Sequence, residues 1–146
     1  MRRLRPWIPA ILWAVWISVA STDAFSAVHT SRIIVPLLHW LLPHASKARL
    51  NELHHLIRKA AHLVEYFVFS LFLVHALKGP GRKWQLRWAL FALAIAAGYS
   101  CLDEFHQWFV PSRGASPWDS LLDTCGAAAA QVVAWLWSRR GRGANA

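Results

Sequence analysis

Apolar runs near membrane-spanning length, bracketed by clusters of charge, limit what this chain can become. A bilayer core takes about 20 apolar residues per helix. The runs from Trp7 to Ser21, Ala60 to Leu77, Leu86 to about Leu102 and Leu121 to Trp137 approach that length. The first is short and holds Pro9, which a helix tolerates near its start. A fifth run, Ile33 to Leu42, contains Pro36 and His39 and reads as an interfacial or re-entrant piece. The expected fold is all-α: an integral membrane bundle of four transmembrane helices, with spans at about 7–21, 60–77, 86–102 and 121–137. All of it falls in a single domain, residues 1–146.

The rest of the composition agrees. The chain is 56% hydrophobic with ten Trp, and only 16% is charged, against about 25% in a soluble globular protein. Disorder is excluded by that hydrophobicity. A soluble enzyme is disfavoured, because so few charges cannot cover so much apolar surface. The net charge of +9 raises the question of nucleic acid. Basic residues that recognise nucleic acid gather on a polar folded face, whereas here they bracket apolar runs, so no nucleic-acid partner is expected. Cys101 and Cys125 are too few for a disulfide scaffold. They lie at similar depth on consecutive helices and are expected to be free, buried thiols.

Charge asymmetry gives orientation. Arg2, Arg3 and Arg5, then Lys78, Arg82, Lys83 and Arg87, then Arg139, Arg140 and Arg142 form three basic segments without an acid. The positive-inside rule places both termini and the 78–87 loop in the cytoplasm. The segments 22–59 and 103–120 then face outward. Trp84, Trp88, Trp135 and Trp137 would form an inner aromatic belt, and Trp108 and Trp118 an outer one. The first run also has the basic start and small-residue site of a cleaved leader, but Trp7, Trp13 and Trp16 suit a permanent anchor better. Between spans 1 and 2, Leu50, Leu53, Leu56 and Ile57 recur at helical spacing, with Ser46 a plausible N-cap. Residues 46–58 therefore read as an amphipathic outer helix running into the second span.

The residues that do not belong in a membrane are grouped. An ionisable group at mid-bilayer costs about 2.5–3.5 kcal/mol on insertion scales, so such groups are paired or functional. The second span opens with Arg58, Lys59, His62, Glu65 and Tyr66. The third closes with Tyr99, Asp103, Glu104, His106 and Gln107. The fourth opens with Asp119 and Asp123, after a tight loop holding Pro111, Arg113, Ser116 and Pro117. Under the expected topology these groups share the outer leaflet. Buried charges at equal depth should meet, most plausibly through Arg113 with Asp119 or Asp103, beside an outward-opening pocket.

At these residues the chain resembles a family. Lys59-Ala-Ala-His62-Leu-Val-Glu65-Tyr66 is similar to the K-x-x-H-x-x-x-Y element of VanZ-like membrane proteins. Asp103-Glu104-Phe-His106-Gln107, followed by Pro111, Arg113, Ser116, Asp119 and Gly126, resembles that family's D-E-x-x-Q…P-x-R…S-x-x-D…G block. The resemblance spans roughly residues 18–135. Asp123 stands where the family commonly has Asn, and Ala130 where it commonly has a second Gly. The name-giving member is associated with low-level resistance to the glycopeptide teicoplanin, and the family has no settled reaction. The resemblance implies a multi-pass protein of the bacterial cytoplasmic (inner) membrane with an outward polar site. That site would bind a membrane lipid, a lipid-linked cell-envelope head group or a glycopeptide.

Two functional classes stand side by side. In a binding protein, Lys59, Glu65, Tyr66, Asp103, Gln107, Arg113 and Asp119 hold the ligand. In an enzyme acting on a lipid-linked cell-wall precursor, Glu104 or Asp123 serves as base, with His62 beside them. Against either, Lys59, His62 and Glu65 could be a helix end snorkelling to the interface, and Asp103, Glu104 and Gln107 a solvated helix end. Gly126, Ala130 and Ala134 form a stripe for close helix packing. His62, Glu65, Glu104, His106 and Asp119 are ligand types that zinc or manganese accepts. No H-E-x-x-H or C-x-x-C spacing accompanies them, so neither a metal nor any other cofactor is assigned.

Overall fold

The computed structural model describes residues 4–79 and 82–143, with side chains up to Arg140. Arg2 and Arg3, which enter the orientation argument, lie outside the described residues, as does the Arg142 side chain. Five α-helices follow one another: α1 (Ile8–Ala20), α2 (Ala27–Leu41), α3 (Lys47–Lys78), α4 (Leu86–Trp108) and α5 (Pro117–Gly143). Short 3-10 turns precede α1 at Arg5–Trp7 and join α1 to α2 at Asp23–Phe25. There is no strand among the described residues.

α3 and α4 are long and apolar enough to cross a membrane, and α1 with α2 adds a third span if the bent pair is taken as one. At 1.5 Å per residue, α3 extends about 48 Å, longer than the ~30 Å hydrocarbon core. α5 covers the expected fourth run but falls outside that count. Asp123, Thr124 and Gln131 dilute its apolar run, and Asp123 and Gln131 are buried inside the bundle.

The N-terminal run differs from its expected form. α1 has 13 residues, about 20 Å of helix, too short to span alone. It ends where Ser21, Thr22 and Asp23 interrupt the apolar sequence, and the chain turns through 75° into α2. The second piece is also longer than the run from Ile33 to Leu42, because the helix already begins at Ala27. Here the backbone N–H and side-chain hydroxyl of Thr30 both bond the Ser26 carbonyl, at 3.0 and 2.8 Å.

Ser46 caps α3 as its position suggests, its hydroxyl accepting from the Arg49 backbone N–H at 3.3 Å. No break separates residues 47–58 from the apolar part of α3. Of the four apolar residues at helical spacing, Leu50 is buried and Leu53 half-buried, while Leu56 and Ile57 are exposed. His54 takes an inward place and bonds Thr30 of α2 through Nε2 at 3.0 Å.

α5 packs most extensively on α3 and then on α4. The core joins Tyr66, Phe69 and Leu73 of α3 to Ala92 and Ala96 of α4 and Ala127 of α5, with Ile17 of α1 closing one side. Small residues let the backbones approach, as membrane bundles require. Gly126 is the tightest case: a β-carbon there would collide with the Leu63 carbonyl. A polar clasp crosses the same seam. Ser70 Oγ donates to the Ala127 carbonyl at 3.0 Å, and Gln131 Nε2 donates to Ser70 Oγ at 2.6 Å. The outside of the bundle is apolar, with Leu12, Leu90, Phe105 and Leu136 among many exposed large side chains. Cys101 and Cys125 are free, but both are exposed on this outer surface instead of buried.

Candidate functional site

The charged residues gather at the end of the bundle formed by the start of α5, the end of α4, the middle of α3 and the α1–α2 break. Lys59, His62, Glu104, Gln107, Arg113 and Asp119 line one pocket of ≈ 180 Å³, together with Arg58, His55 and Ser112. Glu65 lies in an adjoining pocket of ≈ 150 Å³ that shares Arg58, His62 and Arg113 with the first. Asp123 and Asp103 line neither pocket and reach the site through His62 and Gln107. Tyr66 is fully buried beneath it, its hydroxyl without a hydrogen-bond partner, its ring edge-on to Phe69.

Each charged group is held by local structure. α5 begins at Pro117, so its first backbone N–H groups are unpaired within the helix. The Glu104 carboxylate meets this positive helix end and accepts from the Ser116 N–H at 2.8 Å. In the first turn of α5, Asp119 accepts from Lys59 Nζ at 3.1 Å. Asp103 is buried and accepts from Ser21 Oγ at 2.8 Å and from Gln107 Nε2, four residues on, at 2.9 Å. Asp123 is wholly buried. Its Oδ2 accepts from Ser100 Oγ at 2.8 Å, while its Oδ1 stands 3.7 Å from His62 Nδ1 with no bond made by either atom.

The expected pairing of Arg113 with Asp119 or Asp103 is not what forms. Lys59 takes Asp119, and Arg113 turns to the end of α1, where Nη2 donates to the carbonyls of Ala20 and Thr22. The Ala20 carbonyl belongs to the negative end of α1, so a cation is well placed there, and the Thr22 carbonyl, just past that end, also accepts from the Phe25 N–H at 3.3 Å. Burial draws the Arg113 guanidinium below its ordinary pKa, and Arg58 acts in the same direction; arginine nonetheless stays charged in proteins. Arg58, a site residue not assigned from the sequence, donates from Nη1 to the Phe25 carbonyl at 2.7 Å and to Thr30 at 3.3 Å. Its signal was its place one turn before His62. Ser21 and Ser100 were also missed, because each sits inside a run read as apolar.

With Arg58, Lys59 and Arg113 set against Glu104 and Asp119, the pocket carries more positive than negative groups. No three of the described His, Cys, Asp and Glu residues come together as metal ligands. His106 is exposed and lines neither pocket.

An all-helical bundle with an apolar exterior and a charged pocket at one end defines a small multi-pass membrane protein. The family model described as VanZ/LLP1 matches residues 7–138. The chain belongs to the VanZ/LLP1 family. No curated protein and no solved structure matches it.

Proposed function

We propose that the chain is a single four-span domain of the bacterial cytoplasmic membrane, with both termini inside and the charged pocket facing outward. In this reading α3, α4 and α5 span the bilayer, and α1 makes the fourth crossing together with the Arg5–Trp7 turn before it and the α1–α2 corner after it. The first turns of α3 lie at the outer interface with α2. The pocket binds the phosphate of a lipid-linked cell-envelope head group. The observation that supports this most is the convergence of Arg58, Lys59 and Arg113 on one pocket at the end of an apolar bundle. Phosphate is an anion that such donors hold by charge-assisted bonds. The lipid tail would remain in the surrounding bilayer, and Gln107 and His55 would meet uncharged parts of the head group.

Binding of a short-chain polyprenyl phosphate to the full-length protein in detergent tests this. The Lys59→Gln variant should bind about tenfold more weakly, the loss of one hydrogen bond to a charged group, and Lys59→Arg should bind nearly as well as the parent. Equal affinity in the parent and Lys59→Gln would remove the proposal.

One observation favours an enzymatic reading of the same site. Asp123 Oδ1 and His62 Nδ1 are both buried, unbonded and 3.7 Å apart, as an acid–base pair awaiting a substrate proton would be. On that reading Asp123→Asn abolishes turnover of a lipid-linked precursor while leaving its binding within about twofold.

A further inference from the structure

At the other end of the bundle the chain builds a second amphipathic recess, separate from the charged pocket. α3 ends at Gly79, whose φ of +69° is a left-handed conformation that suits glycine. Lys78 Nζ donates to the Arg82 carbonyl at 3.0 Å. That bond holds Lys78 beside Arg82 and Lys83. All three border a groove of ≈ 540 Å³ whose walls are Leu71 and Val74 of α3 and Val133, Ala134 and Trp137 of α5. None of the described residues lining it is acidic. Trp84 lies at its edge with a buried indole N–H that has no partner.

We propose that this groove is a binding site for an anionic glycerophospholipid of the adjacent leaflet. An acyl chain lies between α3 and α5, the phosphate sits among Lys78, Arg82 and Lys83, and the Trp84 ring closes the edge of the groove. The choice of occupant follows from charge complementarity. A wholly apolar partner would leave three cations unmatched, and a soluble anion would leave the apolar walls uncovered. The lipid matches both. Each basic side chain near a membrane surface strengthens binding to anionic lipid by about fivefold.

The full-length protein, titrated in detergent with phosphatidylglycerol or with phosphatidylcholine of the same chains, tests this by native mass spectrometry. Phosphatidylglycerol should be retained at least tenfold better. Arg82→Gln with Lys83→Gln should weaken its retention by about 25-fold. Val133→Trp, at a 42%-exposed position on the groove wall, fills the recess without touching a charge and should also release the lipid. A charge-matched control, Arg32→Gln with Arg49→Gln on the exposed faces of α2 and α3, should leave retention unchanged. Equal retention of the two lipids, undiminished phosphatidylglycerol in either groove variant, or a loss in the control equal to that of the groove variants would each overturn the proposal.

Discussion

Arg113 donates from Nη2 to two carbonyls at the end of α1, while its buried Nε has no partner. Hydrogen bonds from a charged donor contribute about 1.5–3 kcal/mol each. Arg113→Ala should therefore lower the unfolding free energy by about 2–4 kcal/mol, read as a drop in midpoint during denaturation of the detergent-solubilised protein. Arg113→Lys should recover only part, since an ammonium on a single stem lacks the two-pronged donor. An unchanged midpoint in Arg113→Ala would show that the contact is not structural. The sequence revealed that Arg113 belongs to the charged end, and it suggested a carboxylate partner because acids stood at the same depth. It concealed the backbone carbonyls of Ala20, which is left open because α1 stops there, and of Thr22 in the turn that follows. Ser21 and Ser100 were hidden for a related reason. A serine in an apolar run becomes a hydrogen-bond donor to Asp103 or Asp123 only when packing aims it there.

Among the elements, the runs 60–77, 86–102 and 121–137 all lie within helices α3, α4 and α5. Their hydrophobic lengths made them legible without any knowledge of packing. The first run was less so. Hydropathy alone does not register that Ser21, Thr22 and Asp23 end α1 and turn the chain by 75°. The Gly126, Ala130 and Ala134 stripe was legible as a packing face: Gly126 abuts Leu63 of α3, Ala130 is wholly buried and Ala134 packs against the core. Two glycine substitutions separate packing from helix propensity. Gly126→Ala drives a methyl into the Leu63 carbonyl and should destabilise by about 1–3 kcal/mol. Gly98→Ala, in α4 with nothing within 4 Å of its new methyl, should stabilise by up to about 1 kcal/mol. Both are measured as shifts in thermal midpoint. A Gly126 variant as stable as the parent would mean that the seam is looser than described.

For the whole molecule, the ends differ in chemistry. Trp84, Trp135 and Trp137 flank the grooves at the basic end, whereas Trp108 and Trp118 stand on either side of the 109–116 loop by the charged pocket. Two aromatic belts, one at each interface, would need such a separation, because tryptophan collects where a bilayer meets water. Which end faces the cytoplasm is a matter for topology reporters. A reporter fused after Ala146 should be active only in the cytoplasm, and one inserted at Gly114 only outside. The reverse pattern would turn the proposed site inward. The closing of the α1 end has a further consequence, one of timing. Arg113 and Ala20 are 93 residues apart, and ribosomes add about 5–20 residues per second. The first helix therefore leaves the ribosome roughly 5–20 s before the side chain that fastens it exists. During that interval the Ala20 carbonyl at the α1–α2 corner waits without its cation, and the last hairpin to be synthesised is the one that locks the first.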